Sequence, residues 1–159
     1  MGLIVLALVA CGGDGDGRGS VGTTSPAEPT DDQLASIYQT VIREVCGSAA
    51  CDGRIRVSED FSGDPGTTAE KLPDLVRSAV KAELPRATII DPDSWNGSEP
   101  LILLGPSEMP LPDAVAIQEG YLCGNLCGQG TMYFFQRQGE AWVQVSADDL
   151  GLPSVTWAA

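Results

Sequence analysis

The side chains able to do chemistry in this chain are sulfurs and carboxylates. Four of the five cysteines, Cys46, Cys51, Cys123 and Cys127, fall in two closely spaced pairs, and Cys11 stands apart near the N-terminus. Carboxylates gather in two loops, Asp91-Pro92-Asp93 with Asn96 and Glu99, and Glu59-Asp60 with Asp64. Histidine is absent from all 159 residues. That removes Ser-His and Cys-His nucleophile pairs, imidazole acid/base catalysis and any zinc site that uses an imidazole. Acid/base chemistry would have to run on carboxylates. Two of them facing across a cleft can hydrolyse glycosides, a geometry that spacing along the chain does not fix. The Asp91 loop departs from the calcium-loop template, with Gly97 one position late and Ile102 where the bidentate Glu belongs. Ser107 lacks the full glycine flanks of a nucleophile elbow, having Met109 where the second glycine belongs, and has no histidine to activate it. Both carboxylate loops are expected to be solvated turns; no catalytic residue, cofactor or metal site is expected.

The N-terminus carries an address. Leu3 to Ala10 is an unbroken apolar run ending at Cys11. It is far short of the roughly 20 residues a spanning helix needs, and suits the apolar region of a secretory signal peptide. Leu8-Val9-Ala10-Cys11 resembles the lipobox of bacterial prolipoproteins. The resemblance implies a signal peptide over residues 1–10, cleavage before Cys11, and a diacylglyceryl group on its sulfur. The protein would then sit in the cell envelope, lipid-anchored and facing the exported side of the membrane. Each buried methylene contributes about 0.8 kcal/mol, so two acyl chains hold where one is marginal. Met1-Gly2 leads straight into the apolar run without the usual basic residues, which predicts an in-frame start upstream that adds Lys or Arg. Residues 11–29 are rich in Gly, Asp, Ser, Thr and Pro, a tether between lipid and domain. Within it, Gly17 to Gly22 formally matches GxGxxG, but it neither follows a strand nor opens a helix.

In an exported protein, an even set of four remaining cysteines argues for disulfides. Three connectivities exist, and the local pairs Cys46–Cys51 and Cys123–Cys127 are favoured; a four-thiolate zinc site and free or redox-active thiols are the alternatives. A thioredoxin-type pair needs CxxC, which is absent. Cys123-Gly124-Asn125-Leu126-Cys127-Gly128-Gln129-Gly130, followed by Tyr133, Gly139 and Trp142, resembles a CGxxCGxG–strand–turn–Trp pattern of uncharacterised secreted bacterial proteins. That resemblance implies no activity. Glycines beside close cysteines permit a tight or bulged connection, and Trp142 is expected in the core.

The elements that must position these groups follow from periodicity. Thr30-Asp31-Asp32-Gln33 has capping-box spacing, and Leu34, Ile37, Tyr38, Val41, Ile42 and Val45 form one helical stripe. Arg43 falls in the expected last turn, with Gly47 as a left-handed stop. Arg54 to Ser58 alternates as a strand. A second helix is expected from about Ala69 to Leu84, with a capping box at Thr67 to Glu70, a late start if Pro73 is to be tolerated, and Leu72, Leu75, Val76, Ala79 and Val80 buried. Strands are expected at 87–90, 101–104, 114–122, 131–137 and 141–145, the last two joined as a hairpin through Gln138-Gly139. On the third of these, Val115, Ile117 and Tyr121 should face one way and Gln118 the other. Asn96-Gly97-Ser98, a glycosylation sequon, is expected to be a turn. The fold class is α+β: residues 30–159 form one domain with two helices on one face of an antiparallel sheet.

Charge narrows the partners. Nine Lys plus Arg against 22 Asp plus Glu give a net charge of −13, which repels nucleic-acid phosphate and anionic lipid alike. Nucleic-acid binding is not expected, and membrane attachment must come from apolar or covalent means, which the lipobox resemblance assigns to lipid on Cys11. The expected function is a non-enzymatic envelope module that binds or positions an envelope protein or glycan. Its rival is a carboxylate-dependent hydrolase of cell-wall carbohydrate.

Overall fold

The computed structural model describes residues 28–48, 51, 56–58, 72–90, 95–124 and 127–158. The apolar run, Cys11 and most of the tether lie outside the described residues. So do the capping box at residues 67–70 and the carboxylates Glu59, Asp60, Asp64, Asp91 and Asp93.

Helix α1 spans Asp31–Ser48. Its start is the expected capping box: Gln33 N–H donates to Thr30 Oγ1 at 3.3 Å, and Thr30 N–H donates to Gln33 Oε1 at 3.0 Å. The expected stripe is the buried one, from Leu34 to Val45. The C-terminal end departs from expectation. The helix runs through Gly47, which does not take a left-handed conformation, so Arg43 is not in the last turn. Instead Arg43 forms an ion pair with Glu83 on the second helix, Nη2 to Oε1 at 2.5 Å.

Helix α2 spans Asp74–Glu83, directly after Pro73. Proline has no N–H and pushes the residue before it away from helical geometry, so it fits at the N-cap and excludes the earlier start at Ala69. Val76, Ala79 and Val80 are buried, with Leu72 beside them, but Leu75 is 41% exposed and not part of the buried face.

The strands are β1 (Arg56–Ser58), β2 (Thr88–Ile90), β3 (Leu101–Leu111), β4 (Ala114–Gly124), β5 (Cys127–Gln138), β6 (Ala141–Val145) and β7 (Thr156–Ala158). They form one mixed, mostly antiparallel sheet in the order β2-β1-β3-β4-β5-β6, with β7 paired beside β5. The parallel part is β2-β1-β3. Its cause is a crossover: β1 and β2 flank α2 in the chain, and a strand that returns through a helix lies parallel to the first.

Strand β3 is longer than its first four apolar residues predict, because its two prolines sit at irregularities. The register with β4 shifts between Leu104 and Ser107, at Pro106, and again between Glu108 and Leu111, at Pro110. At the first shift the Gly105 carbonyl accepts a buried bond from the Tyr38 hydroxyl of α1, 2.7 Å. The hairpin into β4 turns at Pro112-Asp113, where Asp113 has φ 61°. The β5–β6 hairpin turns at Gly139-Glu140, with Gly139 at φ 66°.

Strand alternation divides the core. Val115 and Ile117 of β4, Phe135 of β5, and Ile102 and Leu104 of β3 pack against both helices. On the opposite face Ala116 and Phe134 pack against Ala147, with Leu150 and Leu152 alongside. The chain after β6 makes this second layer: a short 3-10 turn at Asp148–Leu150, with Asp149 bonded to Ser146 on its N-terminal side and Gly151 (φ 67°) ending it. Among the described residues no helix is long and apolar enough to cross a membrane.

Candidate functional site

The alternation of β4 that puts Val115, Ile117 and Tyr121 on the helix side puts Glu119 there as well. Across the strands it pairs with Leu104 and Thr131. It is the only buried charged side chain among the described residues, 4% exposed, and its Oε1 has no hydrogen-bond partner. Burial without compensation favours the neutral acid, so the carboxyl is pushed up to about 7.

Glu119 lines a half-open hollow of about 300 Å³ between the end of α1 and the sheet. Val45 closes one wall, Tyr121 and Tyr133 contribute phenol rings, and Gln129, Thr131 and Thr156 supply neutral polar groups. Burial raises the Tyr133 phenol above its ordinary value, helped by the negative fields of Glu119 and of Glu44 on α1. Strand β7 completes the rim by pairing Trp157 with Gly130 and Ala158 with Gln129. The pairing needs glycine opposite the indole: a methyl group on Gly130 would run into Trp157 and the Glu119 carbonyl, and one on Gly128 into Leu122. The second half of the Cys-Gly motif thus makes room for a tryptophan near the C-terminus. Trp142, by contrast, packs on the helix-side core, and its Nε1 donates to Gln33 Oε1 at 3.3 Å.

The cysteines are brought together as the two local pairs, Cys46 with Cys51 and Cys123 with Cys127, at Cα separations of 5.2 and 5.5 Å, within disulfide range. The β4–β5 register shifts between Leu122 and Gly124, the irregular connection the glycines allow. Among the described residues no three Cys, Asp or Glu gather as a metal site.

The described members of the Asp91 loop serve the fold. Glu99 Oε2 pairs with Arg56 Nε at 2.5 Å, holding β1 to the segment before β3, and its backbone carbonyl accepts from Trp95 Nε1 at 2.8 Å. Asn96 Oδ1 accepts from Ser98 N–H at 3.0 Å, so the sequon is a turn, with Gly97 at φ 76°. Ser107 is exposed on β3.

Sequence reasoning missed Glu119, Trp157 and β7. For Glu119 the signal was present: in Val115-x-Ile117-x-Glu119-x-Tyr121 it occupies an inward position of a two-residue repeat. Nothing local marks Thr156–Ala158 as a strand, because its partner, the first part of β5, was itself expected to start later.

No protein-family model, curated protein or solved structure matches this chain.

Proposed function

We propose that this chain is an exported bacterial lipoprotein, anchored through lipid on Cys11. Its α+β domain would act as a non-enzymatic binding module of the envelope through the hollow that Glu119 lines. One observation carries the binding reading. A carboxyl shielded from water with an oxygen unpaired is costly, and a fold that keeps such a group beside a cavity has placed it for something that pairs with it. The anchor rests on Leu8-Val9-Ala10-Cys11, and the two cysteine pairs accord with an oxidising, exported setting.

The hydrolase reading draws on the raised Glu119 carboxyl, which suits a general acid. It also needs a second carboxylate across the cleft, and the described lining of the hollow holds only one.

Metabolic labelling with an alkyne fatty acid, in a bacterium that acylates lipoproteins, tests the address. Label is expected on the wild-type chain and not on Cys11→Ala; an unlabelled wild type refutes the anchor. With Thr131 replaced by a photoreactive amino acid, illumination of intact cells is expected to give a discrete adduct that Glu119→Gln abolishes. Cleavage of wall polysaccharide by the purified chain, lost in Glu119→Gln, would replace the module by the hydrolase.

A further inference from the structure

We infer that the Glu119 hollow binds a small organic cation carrying a protonated primary amine or guanidinium, with the carboxylate as its counter-ion and the tyrosine rings beside it. This deepens the binding-module reading and rests on it. The charge balance of the lining is one-sided: it holds a single carboxyl group, and among the described residues no Lys or Arg. An anionic ligand would meet an uncompensated carboxylate, whereas a cation supplies the partner that Glu119 Oε1 lacks. Tyr121 and Tyr133 present phenol rings, whose faces attract cations. Thr131, Thr156 and Gln129 carry oxygens able to accept the remaining N–H bonds of an ammonium or guanidinium group. A hollow of about 300 Å³ is at the small end of ligand pockets, which excludes large ligands. The net charge of −13 draws cations toward the domain before they reach the site.

Binding must be coupled to protonation of Glu119, because only the ionised acid is a counter-ion. The titratable groups around it are few. Tyr133 faces it from β5, Tyr121 from its own strand, and Glu44 on α1 adds negative field at Tyr133. The paired residue on β3 is Leu104, and the β7 residues Thr156 to Ala158 do not titrate. A bound cation favours the carboxylate, so it lowers the pH at which Glu119 takes up a proton.

The test is isothermal titration of the full chain at pH 8 with 1,4-diaminobutane and agmatine, and with 1,4-butanediol and succinate as neutral and anionic counterparts. We expect heat from at least one of the two cations and none from the counterparts. A loss of affinity of tenfold or more is expected in Glu119→Gln, whose melting curve shows that it is folded. With Glu119 titrating at about 7, affinity should fall about a hundredfold by pH 5. The carboxyl ¹³C resonance of Glu119 should titrate at lower pH once the cation is bound. Three results overturn the inference: no heat from either cation at millimolar concentration, equal cation affinity in Glu119→Gln, or an unmoved Glu119 titration. Binding of butanediol or succinate without the cations overturns the ligand class and leaves the module standing. A missing photo-adduct at Thr131 counts against the module itself.

Discussion

Glu119→Gln exchanges a buried ionisable acid for a neutral amide of nearly the same shape, so its effect on stability should depend on pH in one direction only. The carboxyl moves from 4.5 to about 7 on folding because it loses water and gains no partner. At about 1.4 kcal/mol per pH unit, this is an ionisation penalty on the order of 3 kcal/mol. The sign follows from proton counting. Between pH 4.5 and 7 the native state keeps a proton that the unfolded chain has released, so stability falls as pH rises through that window. Below 4.5 both states are protonated, and the stabilising contribution is fully present; above about 7 it is gone. Glutamine has no proton to lose. Urea unfolding of both proteins at steps from pH 4 to 8 isolates the term, because the other carboxylates cancel in the difference. The variant should gain on the wild type by about 3 kcal/mol across the range, with most of the change between pH 5 and 7. A flat difference, or one in which the variant loses ground as pH rises, would mean that ionised Glu119 has a partner inside the native domain, and the case for an unpaired carboxylate awaiting a ligand would fail.

Two further tests bear on the frame of the site. Under denaturing, non-reducing conditions Cys46, Cys51, Cys123 and Cys127 should show no free thiols by alkylation and mass spectrometry, and the double substitution Cys46→Ala/Cys51→Ala should cost about 2 kcal/mol. Four alkylated cysteines would refute the pairing. Gly130→Ala should destabilise by about 1–3 kcal/mol, as overpacking does. Adding Trp157→Ala should not restore stability, because the Glu119 carbonyl still blocks the methyl group; full recovery in a chemical-denaturation series would show that the indole alone fills that space.

Much of the fold is written locally. Thr30 and Gln33 bond to each other within one turn, so the start of α1 is legible in four residues. The hydrophobic stripe of α1 and the alternation of β4 are likewise periodicities of single segments. Errors begin where a segment's conformation depends on a distant partner. The strand expected at 101–104 continues past Pro106 and Pro110 because register shifts absorb them, and Tyr38, 67 positions from Gly105, satisfies the carbonyl of the residue before Pro106. Gly47 reads as a helix stop, but α1 runs through it to Ser48, and Cys51 lies beside Cys46. Leu75 matches the apolar repeat of α2 and still faces water, since a ten-residue helix starting at Asp74 has one buried edge, set by Val76, Ala79 and Val80.

The candidate site was less legible than the fold because it gathers residues from three separate parts of the chain, yet the cysteine pairs mark its position. Cys46 follows Val45, which walls the hollow from α1. Cys123 lies two residues after Tyr121, and Cys127 two before Gln129, so the second pair joins β4 to β5 just beyond the hollow's rim. Each pair therefore fixes the backbone next to a lining residue. Loops this short contribute only about 2 kcal/mol each, less than long ones would, so their placement beside the lining is a second consequence of the pairing. Walls held in place before a ligand arrives reduce the ordering cost of binding. On this account a buried acid with an unpaired oxygen can persist only in a frame that cannot relax around it. The cysteine pairs on both sides supply that frame, and the exported setting proposed from the N-terminus would keep them oxidised.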